Sequence, residues 1–352
     1  MSKAELKIGS RTYGGWKEMQ VQRSMQSAAS AFSLKVSEKF PGQLEKWDIN
    51  EDDECTLILD DHVAVVGHVD SVSRSYDEKS RSVTIAGRDK TADLVDCSAT
   101  KSDGSTGSLN GQTLLQIAQL LAKPFGITVK VAPSLDISKP FKTFSIEPGE
   151  TRWECIERAA RQRAVLAMAD GVGGLLLTRA STSVYAVPLI EGENILTATL
   201  NRDRSQRFHS YTALAQSGSN EWGSTEGAHL KATKLDSVAR KPRGHIFQCE
   251  ELADGITLED RCTWERNVRR ARANTLSIKV EGFSTSAGGL WVPNRLVRCK
   301  LPEFDIDQTL LITDVNSAVG EEGSTTEISI SPRTAWELLP SAEEKDNGLG
   351  DW

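Results

Sequence analysis

A pattern that occurs twice constrains this chain more than any other feature. Val83 to Ser98 reads VTIAGRDKTADLVDCS. Its start alternates apolar and small residues, as a half-buried strand does. Gly87 breaks the alternation. Asp89 or Thr91 then offers a side-chain oxygen to the free N–H groups of a first helical turn, which would carry Ala92, Leu94 and Val95 inward. The stretch reads as a strand that leaves a sheet and ends in a short helix. Near the other end of the chain, Asp314-Val315-Asn316-Ser317 compares with His68-Val69-Asp70-Ser71, and ISISPRTAWELL (328–339) compares with VTIAGRDKTADLV (83–95). Arg88 then matches Arg333, and Thr91-Ala92 matches Thr334-Ala335. Any hairpin followed by a helical turn looks somewhat like this. A match in this order at both ends points instead to a duplicated β-domain, one copy early and one late, with different material between.

The length fits that organisation, since 352 residues can bury more than one core. The hydrophobic fraction is only 38%. Such a value suits an elongated chain, or one whose missing core is supplied by subunit contacts. A net charge of −7 argues against a chain that adheres to nucleic acid over its whole surface. Cys55, Cys97, Cys155, Cys249, Cys262 and Cys299 form no C-x-x-C pair, which disfavours a zinc knuckle or redox motif. MSKAELKIGS lacks the apolar stretch of a signal peptide, and no run reaches the ~18 apolar residues of a membrane helix. A soluble protein with free thiols, made in a reducing cytoplasm, is expected.

Residues 5–90 read as a first β-barrel domain. Ala31 to Glu38 alternates Phe32, Leu34 and Val36 against polar neighbours. Cys55 to Leu59 and Val63 to Val69 flank the turn Asp60-Asp61, and Phe40-Pro41-Gly42 marks a loop. Residues 91–180 read as a small α/β domain. Leu114, Ile117, Ala118 and Leu121 fall at helical spacing, and Pro124 with Gly126 ends the helix. A strand Ile127 to Val131 and a Pro-rich linker over 132–148 follow. Glu150-Thr151 opens a second helix with Trp153, Ile156 and Ala160 on its apolar side, and Val165 to Ala169 and Leu175 to Thr178 form a hairpin.

Residues 181–205 and 274–335 read as the second β-barrel domain. Its strands are Val184 to Leu189, Ile195 to Leu200, Thr275 to Gly282, Leu290 to Cys299, Leu310 to Val315 and Glu327 to Ser331. Between its parts lies an excursion, 206–273. Residues 217–244 show little periodicity, and a helix from about Leu258 to Ala273 carries Trp264, Val268 and Ala271 on one side. Residues 336–352 form a tail, acidic and glycine-containing from Ser341 on, that should order only on binding a partner.

Candidate chemistry is sparse. His62 and His68 stand six apart on one strand run and so share a face. With Asp60, Asp61 and Asp70 they could hold a metal, but the polar outer face of a hairpin explains the same residues, and metal sites need converging ligands with further support. His209, His229 and His245 are isolated in polar segments. No G-x-S-x-G or H-E-x-x-H motif occurs. The glycines of Gly171-Val-Gly-Gly174 lie between two strands, whereas a phosphate loop opens a helix. The loop 101–111 lacks the lysine of a P-loop. Glu250, Glu251, Asp254, Glu259 and Asp260 read as a solvated charge run rather than a glycosidase pair. Arg261, Arg266, Arg269, Arg270 and Arg272 could meet phosphates. They read more simply as the exposed face of a helix, with Glu265 and Arg269 as an i,i+4 pair.

Six segments together resemble a known family. They are GRDKTADLVDCSA (87–99), PGETRWECIERAARQRAVLAMADGVGGLLLTRA (148–180), EGENIL (191–196), RFHSY (207–211), TWERNVRRARANTL (263–276) and GGLWVPNRLV (288–297). Their order and spacing resemble the Mu-like phage or prophage tail protein that forms the baseplate hub, over about residues 5–340. The family is similar, more distantly, to the hub of T-even phage tails and to the N-terminal part of type VI secretion spike proteins. The resemblance implies a multi-domain, mainly β chain with α/β insertions and two related small antiparallel β-barrels, assembled as a homotrimeric ring of pseudo-sixfold symmetry. That ring would join the tail tube above to the spike below, within the virion, and let DNA pass unbound. A trimer would carry three times −7, or −21, charges. The resemblance carries over no catalytic, cofactor-binding or metal-binding residues and implies no cofactor. Two other functions compete with it: a tail-borne cell-wall hydrolase, which would need a site built from His62, His68 or Glu259, and a DNA-binding module using the Arg261–Arg272 helix.

Overall fold

Both copies of the repeated pattern fold as a long strand returning along a shorter one. In the N-terminal half these are His62–Tyr76 and Arg81–Asp89; in the C-terminal half, Ile306–Gly320 and Gly323–Ser331. The computed structural model describes residues 3–37, 47–76, 78, 81–133, 135–216, 229–249, 257–321 and 323–338. The loop at Phe40-Pro41-Gly42, the acidic residues Glu250, Glu251 and Asp254, and the tail from 339 on lie outside the described residues. In each hairpin the alternation buries one face. Val83 and Ile85 are buried in the first, Ile328 and Ile330 in the second.

Each long strand carries a β-bulge, an extra residue that locally kinks the ladder. The bulges fall between Val69 and Ser71 and between Ile312 and Asp314. They fix the correspondence of the halves: Thr313 stands where Asp70 stands, and Thr334 where Thr91 stands, a constant spacing of 243 residues (313 − 70 and 334 − 91). The sequence match of Thr91-Ala92 with Thr334-Ala335 keeps this register. The matches of His68 with Asp314 and of Arg88 with Arg333 do not, because the sequence comparison cannot see where the bulge inserts its residue. The strand endings follow the expectation for the first copy and depart from it for the second. The first ends in helix α1, Ala92–Asp96, and the second in a 3-10 turn, Arg333–Trp336. Thr91 holds the N-cap position without a capping hydrogen bond from its side chain. Asp89 instead accepts from the Thr91 N–H and hydroxyl and from the Ser30 N–H, tying the strand end to a neighbouring loop.

Neighbouring strands repeat the same scheme. Outside Arg81–Asp89 lie Ala31–Ser37 and then Glu18–Ser24; outside Gly323–Ser331 lie Asn274–Glu281 and then Thr197–Arg202. On the other side, His62–Tyr76 pairs with Glu54–Leu59, followed by Ala4–Ile8, and Ile306–Gly320 pairs with Leu296–Leu301. Each half encloses its own apolar core, around Leu6, Leu34, Leu57 and Ile85 in one and around Ile278, Val297, Ile312 and Ile328 in the other. The halves are not two closed barrels. Ile306–Gly320 pairs directly with Glu18–Ser24, merging both halves into one 13-stranded sheet, and no sheet among the described residues closes on itself. Hydrophobic alternation specifies which face is buried but not whether a sheet closes.

The segment between them contains helices α2, Leu114–Ala122, and α3, Arg152–Gln162, each opened by a threonine capping box, Thr113 with Gln116 and Thr151 with Glu154. The hairpin Leu166–Ala169 with Leu175–Thr178 is present and is joined in parallel by Val129–Val131. Residues 132–148 are not a linker: Leu135, Ile137, Phe141, Phe144 and Ile146 are buried in this unit's core. Their apolar side chains are spaced irregularly, so no period reveals them. The described part of the excursion is likewise more ordered than its composition suggests, while residues 217–228 and 250–256 lie outside the described residues. Ser210–Gln216 pairs with His229–Leu235 and Gly244–Gln248, and α4, Leu258–Arg272, packs on this sheet through Cys262. Val184 to Leu189 is not one strand. It reduces to a bridge at Val184 and the short strand Leu189–Ile190. The strand expected over Leu290 to Cys299 is shifted to Leu296–Leu301.

Candidate assembly site

The joint between the halves carries a buried polar contact. Six residue pairs run antiparallel across it, from Asp314 opposite Ser24 to Val319 opposite Met19. Met19, Val21, Val315 and Ser317 are buried there. The Arg23 guanidinium, also buried, crosses the joint and donates to the Trp291 carbonyl at 2.5 Å. Burial pushes Arg23 down to about 10, because a charged guanidinium loses hydration that one carbonyl replaces only in part. Ser24 donates to Asp314 at 2.5 Å.

Two strand edges resemble the two sides of this joint. The backbone of Asp70–Tyr76 is paired on one side only, with Arg81–Asp89, among the described residues. Thr197–Arg202 ends the 13-stranded sheet. Both are largely exposed, Tyr76 to 84%.

The α/β unit docks on the long strand His62–Tyr76. Asp170 accepts from the N–H groups of Val172 and Gly174 and from Lys130, shaping the Gly171–Gly174 turn. A Cβ on Gly173 would sit 3.1 Å from the Val66 carbonyl, so this turn uses its glycine for close approach to the long strand. Arg88 bridges Asp96 of α1 and Asp70, at 2.7 Å each. Those carboxylates, Asp96 foremost, raise Arg88 above its ordinary value, and Arg88 holds Asp96 below the usual carboxylate range.

The remaining candidates are dispersed. His62 pairs with Leu59 and His68 with Glu54, but a second bulge between them reverses the alternation. The two histidines therefore occupy opposite faces, contrary to the spacing argument. His62 meets the Asp60 carbonyl, and His68 lies 3.8 Å from Glu54. Asp60 accepts from the Lys3 N–H and from Ser284. No cluster of three metal-ligating side chains occurs among the described residues. In α4, Asp260 serves the capping box of Thr257, and Arg269 binds Glu265 at 2.6 Å, with Gln206 and His245 at 3.2 Å. Arg266 contacts Asn267, and Arg261 stacks over Trp264. The expected i,i+4 pair is present, and these arginines serve internal contacts. Burial raises the Cys55 and Cys299 thiols to about 12 and raises Cys155 too, so they stay protonated at neutral pH.

Sequence reasoning missed Arg23 and the buried pair Arg207–Asp236. A signal for Arg23 was present: EMQVQRS (18–24) and TATLNRD (197–203) both place apolar residues two and four positions before an arginine.

Comparison with known proteins follows this architecture along the chain. Residues 3–89 match the family "Mu phage baseplate assembly protein GpP-like, N-terminal", residues 91–179 match "Baseplate hub protein gp44-like, second domain", and residues 256–339 match "Mu phage baseplate assembly protein GpP, fourth domain". The baseplate hub protein gp44 of Escherichia phage Mu is 31% identical, over 98% of this chain and 91% of its own length. The chain belongs to the Mu-type baseplate hub family. The crystal structure of the prophage MuSo2 43 kDa tail protein from Shewanella oneidensis is 32% identical with a TM-score of 0.82, covering 96% of this chain and 99% of that one. The fold alone extends to an E. coli component of the type VI secretion system, itself described as similar to T4 tail proteins gp27 and gp5. There identity is 9%, the TM-score 0.57, and coverage 97% and 80%. Mu-type hub proteins are structural components of the phage tail baseplate and not enzymes. Among the described residues, no helix is long and apolar enough to cross a membrane.

Proposed function

We propose that this hub protein acts as a homotrimer at the centre of a contractile tail, linking the tail tube above to the central spike below. The observation that carries this reading is the doubling of the β-unit. Two halves of one bulged-hairpin plan stand side by side in one sheet, so three chains present six similar β-units around a three-fold axis. Such a ring matches six-fold symmetry on one face and three-fold on the other. The functional units are residues 5–90, 91–180, 181–205 with 274–335, the excursion 206–273, and the tail 336–352. The role needs no catalytic, cofactor-binding or metal-binding residue. DNA passes the ring unbound, in keeping with the net charge of −7 per chain.

Light scattering across a range of concentrations tests the assembly. A trimer is expected, with a six-lobed ring by electron microscopy. Tails assembled from phage components that exclude the protein would overturn the hub role.

A further inference from the structure

We propose that the ring closes by strand addition: Ser71–Tyr76 of one chain pairs antiparallel with Thr197–Arg202 of the next. This rests on the trimer reading and adds the surface and the register to it.

The internal joint supplies the template. There, Val315 opposes Arg23, Ser317 opposes Val21 and Val319 opposes Met19. The 243-residue correspondence carries Val315, Ser317 and Val319 back to Val72, Arg74 and Tyr76. The ladders carry the other strand forward. Met19 faces Leu34, which faces Ile85; Ala198 faces Ile278, which faces Ile328. Val21 faces Phe32, which faces Gly87; Leu200 faces Leu276, which faces Ile330. Ile328 and Ile330 lie 243 residues after Ile85 and Gly87, so Ala198 and Leu200 are the counterparts of Met19 and Val21. Arg202 then stands where Arg23 stands. The seam places Val72 opposite Arg202, Ser73 opposite Asn201, Arg74 opposite Leu200 and Tyr76 opposite Ala198.

Three observations favour a second copy as the occupant. The two edges are on one chain and each is the counterpart of one side of an existing joint, so the contact is head-to-tail and repeats from chain to chain. The equivalent residues are better covered inside the joint than at the edges: Met19, Val21 and Val315 are buried, whereas their counterparts Ala198, Leu200 and Val72 are only half-buried. Val72 lies partly buried at the margin of the first core, and Ala198 and Leu200 at the margin of the second. Pairing would finish both margins as Val319 helps finish the first core across the internal joint. It would also satisfy backbone groups that otherwise invite aggregation.

The test is disulfide trapping in the full chain carrying Ser73→Cys and Asn201→Cys, both at exposed positions. Directly opposed Cβ atoms lie close enough to bridge. The expected result is covalent dimers and trimers on mild oxidation. They should form about tenfold faster than in the off-register control Ser73→Cys with Thr199→Cys, where the Cβ atoms are farther apart. The reduced variant should keep the native mass, which shows that it folds and assembles. A trimer that gives no in-register cross-link overturns the seam and leaves the trimer standing. A chain that stays monomeric and uncross-linked at every concentration overturns both.

Discussion

Arg23 reaches the carbonyl of Trp291 at 2.5 Å, linking residues 268 positions apart across the joint between the two β-halves. The guanidinium is buried, so its loss leaves both a cavity and a buried carbonyl without its donor. Arg23→Ala should cost about 2–4 kcal/mol in urea unfolding. Arg23→Lys should recover only part, because an ammonium lacks the planar fork. A neutral result for the alanine variant would show that the joint is held by the strand ladder alone.

Gly87 faces Val69 at the bulge of the N-terminal hairpin. A Cβ there would run into the His68 carbonyl and the ring of Phe32. Neither can retreat, since one is backbone and the other a buried core side chain. Gly87→Ala should destabilise by about 3 kcal/mol or more, measured by thermal or urea unfolding. Ile330, the C-terminal counterpart, lies on a ladder that takes a full side chain. Ile330→Val should therefore cost only about 1 kcal/mol.

Arg207 and Asp236 form a bidentate pair, 2.7 and 3.0 Å, with side chains 6% and 4% exposed. Asp236→Asn leaves a buried guanidinium without its counter-charge and should cost about 3 kcal/mol. The pH dependence has a definite sign. Arg207 holds Asp236 below the ordinary carboxylate value of 3.8, so the folded state releases this proton more readily than the unfolded state. The pair's stabilisation is complete above that value and is lost as pH falls through the lower folded-state value. The stability gap between the native chain and Asp236→Asn should narrow below pH 3.8, as read by urea midpoints.

Arg269 binds Glu265, Gln206 and His245, which commits it to holding α4 on its sheet. Arg269→Ala should lower stability by about 1–2 kcal/mol. It should leave duplex-DNA retention, measured against salt, unchanged. A steep salt-dependent affinity lost in this variant would revive a nucleic-acid role for the helix.

How far the sequence reached varies by element. The hairpin of Val83 and Ile85 was legible because alternation reports burial of one face, and the two helices because Leu114, Ile117 and Leu121 keep helical spacing and Thr151 sits where the second period begins. The metal alternative at His62 and His68 failed for a local reason. One bulged residue reverses every side chain beyond it, and no residue type announces a bulge. Phe141 and Phe144 read as linker in one dimension because an irregular segment can be buried without showing any period.

The sequence by itself determined that the chain is doubled, mainly β and a member of the hub family, since order, spacing and alternation survive in one dimension. Only the tertiary structure decided the rest. It merged the halves through Asp314 and Ser24 into one sheet, corrected the register to 243 residues, and, among the described residues, left Tyr76 and Leu200 paired on one side only. Strand pairing joins residues hundreds of positions apart, and its register depends on bulges and ladders that no short stretch of sequence encodes.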